Sequence, residues 1–273
     1  MRFTPNAFSL CLRAMQKIAL VFGCALLAAT ANADPISTDR PGQSNSPSVV
    51  APGTIQFEGS FTFERETDGG DPNTNTLTVP GGLLRVGVLS FLEARVSADG
   101  FVYEDRSGDN NRSSGSDLTL GARARLFDQK GIRPATALDF NLSIPTGSDA
   151  VTSDGVDPSG IIVFKWALDE RFALLTNVGL ASTSLGKGDS RRAFEVKPTL
   201  SLTTSITERV GTFIEYYATF TDEGIDDAHA MDGGFTWLVS DDLQLDISAG
   251  AGLNDAASDF FVSIGAAWRF FLP

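Results

Sequence analysis

From residue 54 to the end of the chain, apolar and polar residues alternate, segment after segment. In Thr54 to Arg65, Ile55, Phe57, Gly59, Phe61 and Phe63 fall on one face and Gln56, Glu58, Ser60, Thr62 and Glu64 on the other. A strand flips its side chains at every residue, so each such segment is a strand with one apolar and one polar face. The pattern predicts further strands at 75–88, 92–102, 117–127, 137–145, 160–168, 172–182, 193–203, 210–220, 233–239, 243–253 and 260–270. That makes about twelve. Pro80-Gly81-Gly82 predicts an irregularity in the second. Short connections such as Leu89-Ser90 and Asp169-Glu170 alternate with longer polar ones such as 104–115 and 147–159. This is the habit of an up-and-down barrel with short turns at one end and loops at the other.

Alternation alone does not say which face points inward. A closed barrel of about twelve strands is too wide for side chains to fill. The polar face also carries ionisable groups at regular positions: Glu58, Arg85, Glu93, Arg95, Arg123, Asp139, Lys165, Glu195, Lys197, Glu215 and Asp246. The start of the chain adds an export signal, with Arg2, Arg13 and Lys17 before an apolar stretch, Ile18 to Ala29, and a small-residue cleavage site near Ala33. Those 12 apolar residues are short of the roughly 20 that a spanning helix needs. A lipoprotein cut at Cys24 is disfavoured by Phe22 and by the apolar residues that continue past it. The predicted fold is therefore all-β: a transmembrane antiparallel barrel with its apolar face toward lipid, in the outer membrane of a Gram-negative cell. A periplasmic or secreted sandwich is the competing reading.

This divides the chain into a signal peptide (1–33), an aperiodic N-terminal segment (34–53) that is periplasmic or plugs the lumen, and the barrel (54–273). Both cysteines, Cys11 and Cys24, leave with the signal, so the mature chain has no thiol chemistry. The signal has three basic and no acidic residues, which takes the net charge from −13 to −16. Such an acidic balance excludes a nucleic-acid surface. A hydrophobic content of 42% suits a barrel in which every second strand residue meets lipid.

Several motifs in order resemble the outer-membrane transporter family named for the meta-pathway of phenol degradation. They are Thr38-Asp39-Arg40-Pro41, Pro52-Gly53, Gln56-x-Glu58, Arg85-x-Gly87, Asp117 to Gly121, Pro145-Thr146-Gly147, Glu215-Tyr216-Tyr217 and Gln244-Leu245-Asp246. The resemblance covers nearly the whole mature chain and implies a barrel that admits small, often aromatic, compounds. Ser263-x-Gly265-x-x-Trp268-x-Phe270 also resembles the signal read by the barrel assembly machinery, although the chain runs on through Phe271-Leu272-Pro273.

The inward charges are the candidate functional surface. Acids at 58, 64, 93, 99, 117, 139, 195, 215 and 246 face bases at 85, 95, 123, 125, 165, 197 and 269. Paired, they brace the barrel; unpaired, they set ion selectivity. Asp39 and Arg40 are candidates for a segment that folds back as a partial plug. His229, among Asp226, Asp227 and Asp232, reads as part of a solvated acidic outer loop and lies off any strand. One histidine beside scattered aspartates is no metal site, and a hydrolase built on it is the least favoured function. Gly250-Ala251-Gly252 has no following helix and so no dinucleotide role. The sequence thus predicts a passive channel for small solutes. A structural or interaction barrel is the alternative, with outer-membrane lipid as surroundings, no cofactor and no metal.

Overall fold

The computed structural model describes residues 34–67, 74–106, 112–148, 152–186, 191–222 and 224–271. The predicted signal peptide and its cleavage site lie outside them. The strands are β1 (Thr54–Glu66), β2 (Thr74–Leu89), β3 (Leu92–Ala98), β4 (Phe101–Arg106), β5 (Arg112–Gly115), β6 (Leu118–Phe127), β7 (Ala135–Ile144), β8 (Asp157–Ala167), β9 (Phe172–Ser184), β10 (Arg192–Ser205), β11 (Val210–Thr221), β12 (Ala228–Ser240), β13 (Leu243–Gly252) and β14 (Phe260–Phe271). Each pairs antiparallel with its neighbours, and β14 returns to β1 in register from Thr54↔Phe271 to Arg65↔Phe260. The sheet is closed.

Twelve staves make the wall. One half of β2 pairs with β3 and the other half with β4, while β3 pairs with β6 and β4 with β5. So β3–β4 is one stave broken at Asp99-Gly100, and β5–β6 is another broken at Ser116-Asp117. The in-and-out parity shifts at each break, since Glu93 and Arg95 are buried while Phe101 and Tyr103 are exposed, and Ser114 and Arg123 are both buried. The sequence reading runs β3 into β4 as one strand (92–102) and leaves β5 in the loop 104–115. The irregularity expected at Pro80 is a bulge. Ser60 faces Gly81 and Thr62 faces Thr78, so Val79-Pro80 oppose the single Phe61, while Val79 still pairs with Phe101 on β4. Proline has no N–H to give the ladder, so a bulge is where it is tolerated.

The two faces separate as the alternation predicts. The polar face is buried: Glu58, Arg85, Glu93, Arg123, Asp139 and Glu215 are almost wholly enclosed. The apolar face is exposed, with Phe140 at 58% and Ile214 at 54%. A protein dissolved in water would lose by this inversion what burial of those side chains normally contributes. Aromatics gather at the two ends of the wall. Phe91, Phe127, Phe172, Trp237, Trp268 and Phe270 lie at the end holding the short turns, and Phe63, Phe194, Phe220 and Phe260 at the other. Outer-membrane barrels carry such girdles at the two interfaces.

One expectation is overturned here. His229 is not in a loop but on β12, which begins at Ala228, five residues before the predicted start. Ala228-His229-Ala230-Met231 does alternate, in size rather than polarity: Ala230 is buried and Met231 exposed. The His229 ring shares the outward face with Tyr216, whose hydroxyl lies 2.7 Å from Nδ1, and meets Phe220 edge-on at 5.5 Å. A histidine capped by a phenol behaves as one more member of the aromatic girdle.

Candidate functional site

Residues 36–50 lie inside the barrel. The segment starts beside the turn between β12 and β13, where the Ile36 N–H donates to the Asp241 carbonyl at 2.7 Å. Arg40 reaches Asp246 on β13 at 2.9 Å and Ser263 on β14 at 3.3 Å. The Gln43 N–H donates to Glu215 on β11 at 2.5 Å, and the Ser44 hydroxyl lies 2.6 Å from that of Thr199 on β10. The chain then returns. Asn45 donates to Asp139 at 3.0 Å and the Val50 N–H to Glu93 at 2.7 Å, before β1 begins. Two wall glycines make room: a Cβ on Gly87 would collide with the Ala51 carbonyl, and one on Gly265 with the Arg40 guanidinium. Gly265, singled out by the sequence as part of an assembly signal, thus also seats the inner segment.

One side of the lumen, from β1 to β7, is a single ion network. Arg85 donates five hydrogen bonds, to Glu58 (2.9 Å), to both oxygens of Glu93 (2.9 and 3.0 Å), and to the carbonyls of Ser37 and Ser48 (3.0 and 2.8 Å). Five is the full donor capacity of a guanidinium. Arg123 grips Asp139 with two bonds of 2.6 Å and Asp39 with one of 2.8 Å. Arg95 joins Glu93 at 2.8 Å to Asp39 at 2.7 Å. Asp39 is the hub. Burial opposes its charge, but Arg123, Arg85 and Arg95 outweigh that and hold its carboxyl well below the usual carboxylate range.

The opposite side, β10 to β14, is different. Glu195 pairs with Lys197 at 2.6 Å, and Asp246 with Arg40. Asp232 stands directly across from Glu215 in the ladder. Both Asp232 oxygens, Oε1 of Glu215, Oδ2 of Asp246 and the Ser248 hydroxyl are buried without a hydrogen-bond partner among the described residues. Two carboxylates side by side with spare oxygens leave this wall with surplus negative charge. Among the described residues, no group of three or more His, Cys, Asp or Glu is placed to hold a metal ion.

A model of the family described as "Putative MetA-pathway of phenol degradation" matches residues 38–270. The chain belongs to that family. Comparison with curated proteins gives no match. Among solved structures, an outer membrane channel from Pseudomonas putida F1 is similar at a TM-score of 0.65 and 14% identity, over 85% of this chain and 99% of that one. The NanC porin follows at 0.52 and 9% (79% and 100% covered), and the translocator domain of the autotransporter NalP from Neisseria meningitidis at 0.51 and 9% (97% and 97%). At such identities the likeness establishes the outer-membrane barrel fold, which porins and a translocator share, and not a common substrate.

The family match spans Asp39 and Arg40 together with every wall residue they touch. Of the sequence-predicted charges, Glu58, Arg85, Glu93, Arg95, Arg123 and Asp139 meet in one network with Asp39. Glu195, Lys197, Glu215 and Asp246 share the other wall. Lys165 stands apart from both. Three expected inward charges belong to the rims. Arg125 lies 3.6 Å from Asp128 and Arg269 2.7 Å from Asp242, while Asp117 ties the loop through the N–H groups of Gly147 and Ser153. Asp232 was missed, because the sequence reading began its strand at Gly233, five residues after β12 starts. The rings of Trp268 and Phe270 meet at 4.4 Å, tilted by 37°, on the lipid face of β14.

Proposed function

We propose that the protein is an outer-membrane channel that admits small solutes passively, with residues 36–50 narrowing its path. The observation that carries this reading is the inverted barrel: lipid-suited residues outside, and a polar lumen wide enough to hold a folded-back segment and still leave a cavity of about 330 Å³ beside it. Family membership and the description of the Pseudomonas putida relative as a channel support it. The family description also favours aromatic or hydrophobic compounds as solutes. Export with cleavage near Ala33, and insertion by the assembly machinery through Gly265, Trp268 and Phe270, belong to the same proposal.

The test is conductance of the purified protein in planar bilayers, with vesicle-swelling assays of small aromatic acids against sugars of similar size. Conductance, and faster entry of the aromatic acids, is expected. A second reading is favoured by the fully paired network, which braces the barrel whether or not anything passes. Absence of both conductance and uptake in folded protein, with and without residues 34–53, would establish that structural reading instead.

A further inference from the structure

The cavity lies between the inner segment and the staves β8 to β13, near the end of the barrel that holds the short turns. Its volume, about 330 Å³, falls within the range of small-molecule sites, about 300–1,000 Å³. Three charged side chains border it: Asp39, Arg40 and Lys165. Two of these are spoken for. Asp39 is held by Arg95 and Arg123, and Arg40 by Asp246. Lys165 has no hydrogen bond or ion pair among the described residues. Its neighbours on the inner wall are apolar: Leu175 directly across the ladder, Val163 two residues back on β8, and Ala137 on β7, all buried. Lys165 itself is half-buried. An ammonium partly withdrawn from water without a counter-ion is costly, and the cost falls when an anion arrives.

The rest of the lining says which anion. Leu175 and Phe213 offer an apolar surface, and Ser201 offers a hydroxyl that can donate to an oxygen. We propose that this cavity binds a small organic anion, a carboxylate on an apolar body, with Lys165 as its counter-ion. Apolar contacts take the body, and Lys165 with the Ser201 hydroxyl takes the carboxylate. The proposal rests on the channel reading only in treating the ligand as a solute in transit.

The test is equilibrium binding to the full-length folded protein in detergent, by calorimetry, with benzoate as probe and benzamide as its neutral isostere. Folding is verified by heat-modifiable migration on gels. Benzoate should bind, and Lys165→Met should weaken it about tenfold or more, the usual worth of a hydrogen bond to a charged group. Lys165→Arg should retain most of the affinity, and benzamide should bind as weakly to the native protein as benzoate does to Lys165→Met. Equal binding of benzoate and benzamide, unchanged affinity in folded Lys165→Met, or no binding at millimolar benzoate would overturn the proposal. Phosphate binding as tight as benzoate would contradict the organic class. Conductance measured on the same samples separates the two readings. Binding without conductance upholds the site and removes the channel, whereas conductance without binding removes only the site.

Discussion

The two sides of the lumen use the same residue types to opposite effect. From β1 to β7, four carboxylates (Asp39, Glu58, Glu93 and Asp139) interlock with three guanidiniums, and the network ties the inner segment to the wall. From β10 to β14, oxygens of Glu215, Asp232 and Asp246 face no donor among the described residues. Desolvating a charge costs several kcal/mol, recovered only through good geometry and full hydrogen bonding. The first side meets those conditions and reads as scaffold. The second does not, so its charge remains available to whatever enters the lumen.

The largest effect is expected where pairing is most complete. Arg123→Met leaves Asp139 and Asp39 short of partners and should destabilise the barrel by about 3–5 kcal/mol, the usual cost of breaking a buried pair. Denaturant titration in lipid vesicles measures it. The same loss from Lys197→Met would erase the distinction between the walls.

The next contrast sets lumen against lipid on one stave. Phe140 and Asn141 are adjacent on β7, with Phe140 exposed outward and Asn141 less so. Phe140→Arg should cost roughly 2–4 kcal/mol if it lies near the bilayer midplane, and Asn141→Arg much less, in the same titration. The reverse order would mean that the inner and outer faces are exchanged.

Asp232→Asn should act with the opposite sign to Arg123→Met. It removes one of two facing, unpartnered carboxylates, so stability should be unchanged or gain about 1 kcal/mol. A clear loss would show that Asp232 has a stabilising partner.

The smallest effect is a null with pH. A carboxyl whose folded pKa is depressed contributes stability above its unfolded value, about 3.9, and loses it only as pH falls through the folded one. For Asp39 the folded value lies well below the usual range. The inner segment should therefore resist protease equally at pH 7 and pH 5, and release at pH 5 would place its anchor elsewhere.

Much of this was legible from period alone. Alternation gives most of the staves, the inward face of Glu58, Arg85, Glu93, Arg95, Arg123, Asp139, Glu215 and Asp246, and the bulge at Pro80. Three things were not. The wall partners of Asp39 and Arg40 lie from 19 to 223 residues away in sequence, and alternation carries no information about such contacts. The start of β12 was hidden because His229 counts as polar, although against Tyr216 and Phe220 it packs as a ring. The same error hid Asp232, which the sequence left in a loop. Lys165 was visible as an inward base, but its lack of a partner among the described residues emerges only from the folded arrangement of the other charges.

Reversal potential in a salt gradient tests the division of labour most directly. Fixed charge in a narrow, poorly screened path biases which ion passes. If the β10–β14 side sets the field, Glu215→Gln with Asp232→Asn should shift the reversal potential toward anions. Glu93→Gln, whose charge is already taken by Arg85 and Arg95, should shift it much less. An unmoved potential in the double variant, with a large shift from Glu93→Gln, would contradict the account.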